Sequence, residues 1–317
     1  LNYFTGSQAH NVHLRGLAQS KGLKLSEYGL FKGERRVAGK TEESIYRKLG
    51  MEYVEPELRE DRGEVEAALE GELPELLELS DIRGDLHAHS NYSDGHATIE
   101  EMARAAKARG YKYISMSDHT HSLGVAHGLT VERLMEQGEE IDEVNKTLKG
   151  FTVLKSTEVD ILSDGSLDFP DEVLERLDIV VASIHSGFQQ SREKITGRML
   201  SAIENPNVDI IGHPTGRLLG TRPPYDVDID AVIAAAAETG TALEINSHYE
   251  RLDLNDVHCR RAAEMGLRVA ISTDSHHVDQ LWMMELGVRT ARRGWLKREN
   301  VLNTLTTKAL MKAVGNG

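Results

Sequence analysis

Ile82-Arg83-Gly84-Asp85-Leu86-His87-Ala88-His89 is typical of a short β-strand that ends in two histidines. Residues two apart on a strand point to the same face, so one metal ion can bind both imidazoles. Two buried histidines with ordinary hydrogen-bond partners would give the same pattern. One such pair does not separate these interpretations, but similar patterns recur further along the chain.

Apolar runs of strand length alternate with helical patterns through the last three-quarters of the chain. After the first run, further strands are predicted over residues 113–116, 151–156, 178–184, 208–211, 242–245 and 269–271. The helical patterns cover residues 98–109, 130–148, 191–204, 228–239, 255–265 and 278–293. Strands that alternate with helices predict parallel βαβ units. Seven such strands predict an α/β fold with a closed or nearly closed barrel.

Histidines and carboxylates follow or end these predicted strands. In α/β barrels the chemistry lies at the carboxyl ends of the strands, so these side chains are expected to meet at one mouth. Neutral imidazoles and carboxylates are the ligands that divalent cations prefer. The sequence therefore predicts one polynuclear metal site, whose ligands are His87, His89, Asp94, His119, Glu158, His185, His213, Asp274 and His276.

Several further polar residues have candidate roles beside this site. Glu158 has two carboxylate oxygens and is expected to bridge two cations, whereas Asp118 could orient an imidazole or cap a helix. Arg217 and Arg222 are candidate phosphate contacts, although a surface charge is the simpler interpretation of each. Lys155 is expected in the barrel or at its mouth.

Composition limits the classes of function. The hydrophobic content of 39% is enough for a sizeable core, and no apolar stretch is long enough to span a membrane. The single cysteine, Cys259, excludes an internal disulfide and fits a reducing cytoplasm. Residues 1–60 carry a formal charge of +2, which leaves −16 for the rest of the chain. A broad basic DNA-binding face on the larger part is therefore not expected.

The first 80 residues have a different pattern. A helix is predicted over residues 10–21, a short strand from residue 22 and a second helix over residues 41–49. Residues 61–80 are rich in Glu and lack an apolar face, so they are predicted to be a linker with a short helix near 64–70. Because the chain begins at Leu1, without methionine, we interpret it as the C-terminal piece of a longer protein.

The motifs of the larger part resemble those of the polymerase and histidinol phosphatase (PHP) domain over about residues 81–310, and the domain is expected to cover 81–317. The resemblance implies a distorted (β/α)7 barrel that holds three divalent ions, manganese or zinc. It assigns the first ion to His87, His89, Glu158 and Asp274, the second to Glu158, His185 and His213, and the third to Asp94, His119 and His276. Catalysis would then depend on Glu158, Asp274 and His87, with Arg217 on the phosphate.

The first 60 residues resemble the small α+β thumb subdomain of a family X DNA polymerase. Tyr3, Phe4 and Gly6 match the segment that checks the sugar of the incoming nucleotide, with a cis peptide expected between Gly6 and Ser7. Asn11 and Arg15 match positions that approach DNA. The palm with its catalytic aspartates is not contained in this sequence, so the resemblance does not imply polymerisation by this chain.

Together the two resemblances imply a metal-dependent phosphoester hydrolase, with 3′-to-5′ exonuclease or 3′-end processing activity on DNA in repair. Its partner would be a DNA 3′ end, single-stranded or at the end of a duplex; the oligomeric state is left open. Three alternatives remain at this point. They are a small-molecule phosphatase of the histidinol-phosphate type, an amidohydrolase-like metal hydrolase, and an inactive module that stabilises a polymerase.

Overall fold

The computed structural model describes residues 2–314. They form two compact units that divide between Leu76 and Leu77. This boundary lies inside the predicted linker over 61–80, and the residues ahead of it are part of the first unit instead of a free connection.

The first unit is a small α+β module. Its elements are α1 Gln8–Ser20, β1 Lys24–Ser26, β2 Gly29–Lys32, β3 Arg35–Ala38, α2 Glu42–Leu49 and α3 Glu64–Glu70. The three strands pair in order as an antiparallel sheet. Both longer helices begin at capping side chains, since Ser7 accepts from the backbone of His10 and Thr41 from that of Ser44. Leu14, Leu30 and Leu49 are fully buried in its core.

The Glu-rich segment that was expected to link the domains packs through a buried polar contact. Glu64 and His10 are both fully buried, and Oε1 of Glu64 lies 2.5 Å from Nδ1 of His10. Nε2 of His10 lies 3.2 Å from the hydroxyl of Tyr46. Val65 and Ala68 of α3 are buried on the same helix. This contact joins residues more than 50 positions apart, so the local composition of the segment gave no sign of it.

The second unit contains the predicted barrel, described by its strands and helices in chain order. They are β4 Gly84–Ala88, α4 Ile99–Ala108, β5 Tyr113–Met116, α5 Val131–Thr147, β6 Thr152–Asp160, α6 Asp171–Leu174, β7 Ile179–Ser183, α7 Arg192–Glu204, β8 Ile210–Ile211, α8 Ile229–Thr239, β9 Ala242–Asn246, α9 Asp256–Glu264, β10 Val269–Ser272, α10 Met284–Arg293 and α11 Thr307–Val314.

The seven strands pair in parallel and in chain order from β4 to β10. A parallel bridge between Ala88 and Ser275 joins the first strand to the segment after the last one. Across the same seam, His89 N donates to Ser275 O at 2.8 Å and Asp274 N to His87 O at 2.9 Å. The predicted α/β barrel, nearly closed on itself, is therefore confirmed.

The barrel interior changes from apolar to polar along the strands. A buried apolar cluster inside the sheet includes Leu154 of β6, Ala242 of β9 and Ala270 of β10. Alternate residues of a strand share a face, so the polar residues further along β6 and β9 lie on this same interior face. Among them are Glu158 and Glu244, both buried. The sequence thus places carboxylates inside the barrel at its carboxyl end.

Two element boundaries differ from prediction in ways that matter for the site. The strand predicted over 151–156 continues to Asp160, so Glu158 lies within β6 and not at its end. The helix predicted over 278–293 is divided into a 3-10 segment, Val278–Met283, and α10. In the part of the chain from residue 2 to 314, no helix has the length and apolar character that a membrane span requires.

Candidate metal centre

Four imidazoles have a ring nitrogen within 3.5 Å of the Glu158 carboxylate, and Nε2 of His89 lies 3.8 Å away. Oε1 of Glu158 lies 2.9 Å from Nε2 of His213 and 3.3 Å from Nε2 of His185. Its Oε2 lies 2.8 Å from Nδ1 of His119 and 3.5 Å from Nε2 of His87. A carboxylate with imidazole nitrogens beside both of its oxygens could contribute one oxygen to each of two ligand groups.

Asp274 forms a second meeting point at the barrel seam. Its Oδ1 lies 3.0 Å from Nε2 of His89 and 3.8 Å from Nε2 of His87, and these two nitrogens are 3.2 Å apart. Asp274 and His213 adopt positive φ values, 53° and 28°. Such backbone conformations are uncommon for residues other than glycine and are concentrated at functional sites.

Asp94 brings together the remaining residues of the predicted set. Its Oδ1 lies 3.2 Å from Nε2 of His276 and 3.7 Å from Nε2 of His119. The rings of His89 and His276 stack with centroids 4.2 Å apart. The structure therefore brings all nine predicted ligand residues together at one mouth of the barrel.

The unsatisfied atoms of this cluster fit a cation. Nδ1 of His119 and Oε2 of Glu158 are 2.8 Å apart, yet both are buried and neither makes a hydrogen bond in the described residues. Buried polar atoms without partners are costly, and a cation between the two lone pairs would satisfy both. Three groups of ligand atoms are close enough to hold an ion: His89, Asp94, His119 and His276; His87, His89 and Asp274; and His119, Glu158 and His185.

The charges of the cluster are strongly coupled. Burial alone would raise the pKa of Glu158, but the imidazoles of His185, His87 and His119 outweigh it and hold this pKa well below its usual range. Burial also opposes a charge on His185, whereas Glu158 and Asp160 raise the pKa of His185 to about 10.

His89 is held in the form that a metal ligand needs. Burial, together with the neighbouring His276 and His119, lowers the pKa of His89 to about 3. A neutral imidazole has the free lone pair that metal coordination requires.

Two further residues that the sequence analysis missed, Glu244 and Asp160, orient these ligands. Nδ1 of His87 lies 2.8 Å from Oε1 of Glu244, whose Oε2 accepts from the backbone N–H of His213 at 2.7 Å. Nδ1 of His185 lies 2.7 Å from Asp160. Carboxylates behind metal-bound imidazoles fix the ring and its tautomer. A usable signal was present, because Glu244 interrupts a buried apolar strand and Asp160 follows Glu158 by two positions.

Asp118 does not hold an imidazole or cap a helix. Its carboxylate accepts from the backbone N–H groups of Ser90 and Ser93 at 2.9 and 3.2 Å, from both hydroxyls, and from Gln137. It therefore fixes the turn that carries Asp94.

The side chains of the basic residues considered for this site are engaged by oxygen atoms of the protein. The guanidinium of Arg217 donates to the backbone carbonyls of Arg251 and Leu252. That of Arg222 donates to the carbonyl of Gly216 at 2.8 Å and lies over the ring of Phe188. Lys155 faces outward and pairs with Asp142 at 2.8 Å. Local sequence did not show that loop carbonyls would bind the two arginines.

Arg251 is the arginine that reaches the cluster. Its Nε lies 3.3 Å from Oδ2 of Asp274, and its Nη1 is buried without a hydrogen-bond partner in the described residues. Asn246 donates to the same Oδ2 at 3.0 Å. Together they leave Oδ1 of Asp274 directed to the imidazoles of His87 and His89.

In the first unit, the residues predicted to contact DNA lie near one cleft. Tyr3, Asn11 and Arg15 line a cleft of about 190 Å³ together with Lys40. Tyr3 and Phe4 meet edge to face with centroids 4.9 Å apart, and Phe4 is 82% exposed. The guanidinium of Arg15 lies 5.8 Å from the Tyr3 ring centroid.

Gly6 has a structural reason to be glycine, but the expected cis peptide is wrong. Its φ is +84°, and a Cβ at this position would lie 2.4 Å from Cβ of Arg59. In the described residues the cis peptide bond joins Asp253 and Leu254, so the bond between Gly6 and Ser7 is trans.

Comparison with known proteins gives the same two-part organisation. Residues 1–60 match the family model of the DNA polymerase beta thumb, and residues 85–248 match that of the PHP domain. The DNA polymerase/3′-5′ exonuclease PolX of Bacillus subtilis (strain 168) is 45% identical over 311 residues, which are 97% of this chain and 54% of that protein. The chain thus spans about half the length of this relative.

Two other relatives match the barrel. A protein named as a probable phosphatase in Thermoanaerobacter sp. (strain X514) is 36% identical over 233 residues, 69% of this chain and 89% of that protein. The crystal structure of hisK from Listeria monocytogenes, named for the histidinol phosphatases, aligns with a TM-score of 0.51 and 16% identity. That alignment covers 62% of this chain and 97% of the other, and it supports the fold alone. With the family model matched over most of the barrel, the chain belongs to the PHP domain family, and a segment similar to the DNA polymerase beta thumb precedes that domain.

Proposed function

We propose that this chain is a metal-dependent phosphoester hydrolase that removes nucleotides from DNA 3′ ends, as a 3′-to-5′ exonuclease or 3′-end processing activity in repair. The observation that carries the proposal is the convergence of four imidazoles on the buried carboxylate of Glu158. The name of the Bacillus subtilis relative, which is 45% identical over nearly the whole chain, supports DNA as the substrate.

The cofactors would be three divalent cations, manganese or zinc. Mixed nitrogen and oxygen ligands suit both metals. We assign the first ion to His87, His89, Glu158 and Asp274, the second to Glu158, His185 and His213, and the third to Asp94, His119 and His276. The three clusters of ligand atoms around Asp274, Glu158 and Asp94 support a count of three.

Bound cations would supply a hydroxide at neutral pH, by lowering the pKa of water from about 15.7 towards ~7, and would stabilise charge on the phosphate. The chain's own residues set the geometry. Glu158 joins two ligand groups, and Glu244 fixes the His87 ring behind its coordinating nitrogen. Arg251 and Asn246 orient Asp274. We assign to Arg251, whose guanidinium lies beside Asp274, the role that was expected of Arg217.

The first unit would contribute DNA contacts outside the metal centre. Tyr3, Phe4, Gly6, Asn11 and Arg15 are the residues we assign to this role. Tyr3 and Phe4 are exposed, and an aromatic ring can stack on a base or sugar. The buried single cysteine, Cys259, fits a reducing cytoplasm as the compartment.

A labelled-substrate assay tests the proposal. A 3′-labelled oligonucleotide and a small phosphomonoester are each incubated with the purified chain and manganese, with His87→Ala as the matched inactive control. We expect loss of the 3′ label with the unmodified chain and none with the variant. If the oligonucleotide is untouched while the monoester is hydrolysed, the nuclease assignment is wrong.

That outcome would support the second candidate, a small-molecule phosphatase of the histidinol-phosphate type. It is favoured by the relative named as a phosphatase, because the chain covers 89% of that protein's length. The same ligand cluster would serve either reaction. Only the substrate seated beside it differs, so the two assays in parallel decide between them.

A further inference from the structure

The loop that follows β9 is fixed directly to the candidate metal centre. At its start, Nδ2 of Asn246 donates to Oδ2 of Asp274 at 3.0 Å. Further on, Nε of Arg251 lies 3.3 Å from the same oxygen. Between these two anchors lie the buried Ser247 and then His248, Tyr249 and Glu250, so this turn is at the edge of the site.

Tyr249 is presented by this loop as an exposed aromatic surface. Its ring is stacked with the ring of His248, with centroids 4.7 Å apart and an angle of 26° between the planes. Tyr249 is 54% exposed, whereas His248 is only partly exposed and covers one face of the Tyr249 ring. A single exposed ring is common at protein surfaces, so exposure alone does not indicate a binding role. What points to one here is the position of Tyr249 between two residues that contact Asp274.

The backbone around Tyr249 is held firmly. His248 N donates to Oδ1 of Asn246 at 3.0 Å, and the carbonyl of His248 accepts from Arg251 N at 2.8 Å and Leu252 N at 3.0 Å. The carbonyl of Glu250 accepts from the N–H of Leu219, in the loop after β8, at 2.5 Å. The turn is therefore pre-formed, and the position of the ring is set before a substrate arrives.

We propose that the stacked pair Tyr249–His248 is the platform for the terminal base of the DNA 3′ end; this rests on the proposed function. Aromatic side chains hold single-stranded bases by stacking, with little dependence on sequence, because every base has a π-face. Arg251 fixes the platform to Asp274 and thus to the ligands that would act on the adjoining phosphate.

A base-stacking platform at Tyr249 would also determine which DNA 3′ ends are preferred as substrates. A base can stack on Tyr249 only when it has left its neighbours in the duplex. The preferred substrate is therefore a single-stranded or frayed 3′ end that carries a base, and a phosphate ester without a base gains nothing from the platform.

The test compares two oligonucleotides that differ only in the last nucleotide, which carries either adenine or no base. We expect the unmodified chain to favour the adenine end roughly tenfold in kcat/KM, a ratio typical of one base stacked on one ring. Tyr249→Ala should lose this preference by slowing only the adenine end, and Tyr249→Phe should keep it. Trp282→Ala removes another exposed aromatic of the same unit, 43% exposed, and should leave the preference unchanged.

A binding measurement provides a readout that does not need turnover. A 3′-terminal 2-aminopurine, placed after a slowly cleaved phosphorothioate linkage, should lose fluorescence on binding to the unmodified chain and to Tyr249→Phe, but not to Tyr249→Ala. The proposal is overturned if the fluorescence is unchanged with the unmodified chain, or if Tyr249→Ala affects both ends equally. Failure of cleavage with intact quenching would instead count against the proposed function and retain the platform.

Discussion

The candidate metal centre and the candidate DNA-contacting surface of the first unit differ in how they are built. His87, His89 and Glu158 are 0–1% exposed and contact one another, whereas Tyr3 and Phe4 are 43% and 82% exposed. The first site consists of core residues of the barrel. The second is an open surface whose contacts would be supplied by another molecule.

This difference has an energetic consequence. Buried ionisable groups depend on their partners, so removal of one leaves the others unpaired in a low-dielectric interior. An exposed ring has few protein contacts to lose, and substitutions of this kind usually change stability by less than about 0.5 kcal/mol. Variants of the buried ligands are therefore expected to change stability as well as activity. Variants of the exposed rings should leave stability almost unchanged and affect only the binding of DNA.

The largest effect is expected at the barrel seam. Asp274→Ala and His87→Ala should each lower the rate of hydrolysis by at least about a thousandfold, because each removes a side chain that we expect to bind a cation. Bound metal, measured by elemental analysis, should fall in parallel, while circular dichroism shows a retained fold. A variant that keeps more than a few per cent of the rate would contradict the ligand role.

Removal of the cations should affect the two units unequally. After treatment with a chelator, the thermal transition of the second unit is expected to move down, since a ligand at about a thousand times its Kd stabilises the folded state by ~4 kcal/mol. Manganese should restore it. Calorimetry of the whole chain measures both units in one sample. If the second unit's transition does not move, the cluster does not bind cations.

The barrel and its ligands were predictable because both depend on local pattern. Strand β5 was predicted over its observed residues, and the ligands follow from the positions where apolar runs end. The length of β6 was not predictable. Its first half pairs with β5, whereas its second half, from Ser156 to Asp160, pairs with β7. The apolar run ends at Ser156, and only the pairing with β7 shows that the strand continues through Glu158 to Asp160.

The arginines show where such prediction stops. Arg217 and Arg251 both follow a strand of the barrel, and nothing in the local sequence ranks one above the other. The conformation of the 248–253 loop decides, since its carbonyls take up the guanidinium of Arg217 and its own Arg251 turns to Asp274. The buried pair of His10 and Glu64 was missed for the same reason, because each partner lies far from the other in sequence.

Arg251→Ala is expected to have an intermediate effect, which distinguishes a positioning residue from a ligand. Without the guanidinium, Asp274 keeps only Asn246 on Oδ2, so kcat should fall roughly 10- to 100-fold while bound metal is retained. Arg222→Ala is the matched control, because its guanidinium binds the carbonyl of Gly216 instead of a ligand. If both variants lose the same activity, the effect of Arg251 comes from its positive charge in general and not from its contact with Asp274.

The smallest effect on the chain itself is expected at Phe4. Phe4→Ala should change the free energy of unfolding by less than about 0.5 kcal/mol, because the ring is 82% exposed. Leu14→Ala, at a fully buried position of the same unit, should cost ~2–5 kcal/mol by denaturant titration. With an oligonucleotide, Phe4→Ala should raise KM severalfold and leave kcat unchanged, as expected for a residue that contributes to substrate binding and not to the chemical step. An unchanged KM would show that Phe4 does not contact DNA. Tyr3 and Arg15 would then be the residues to test.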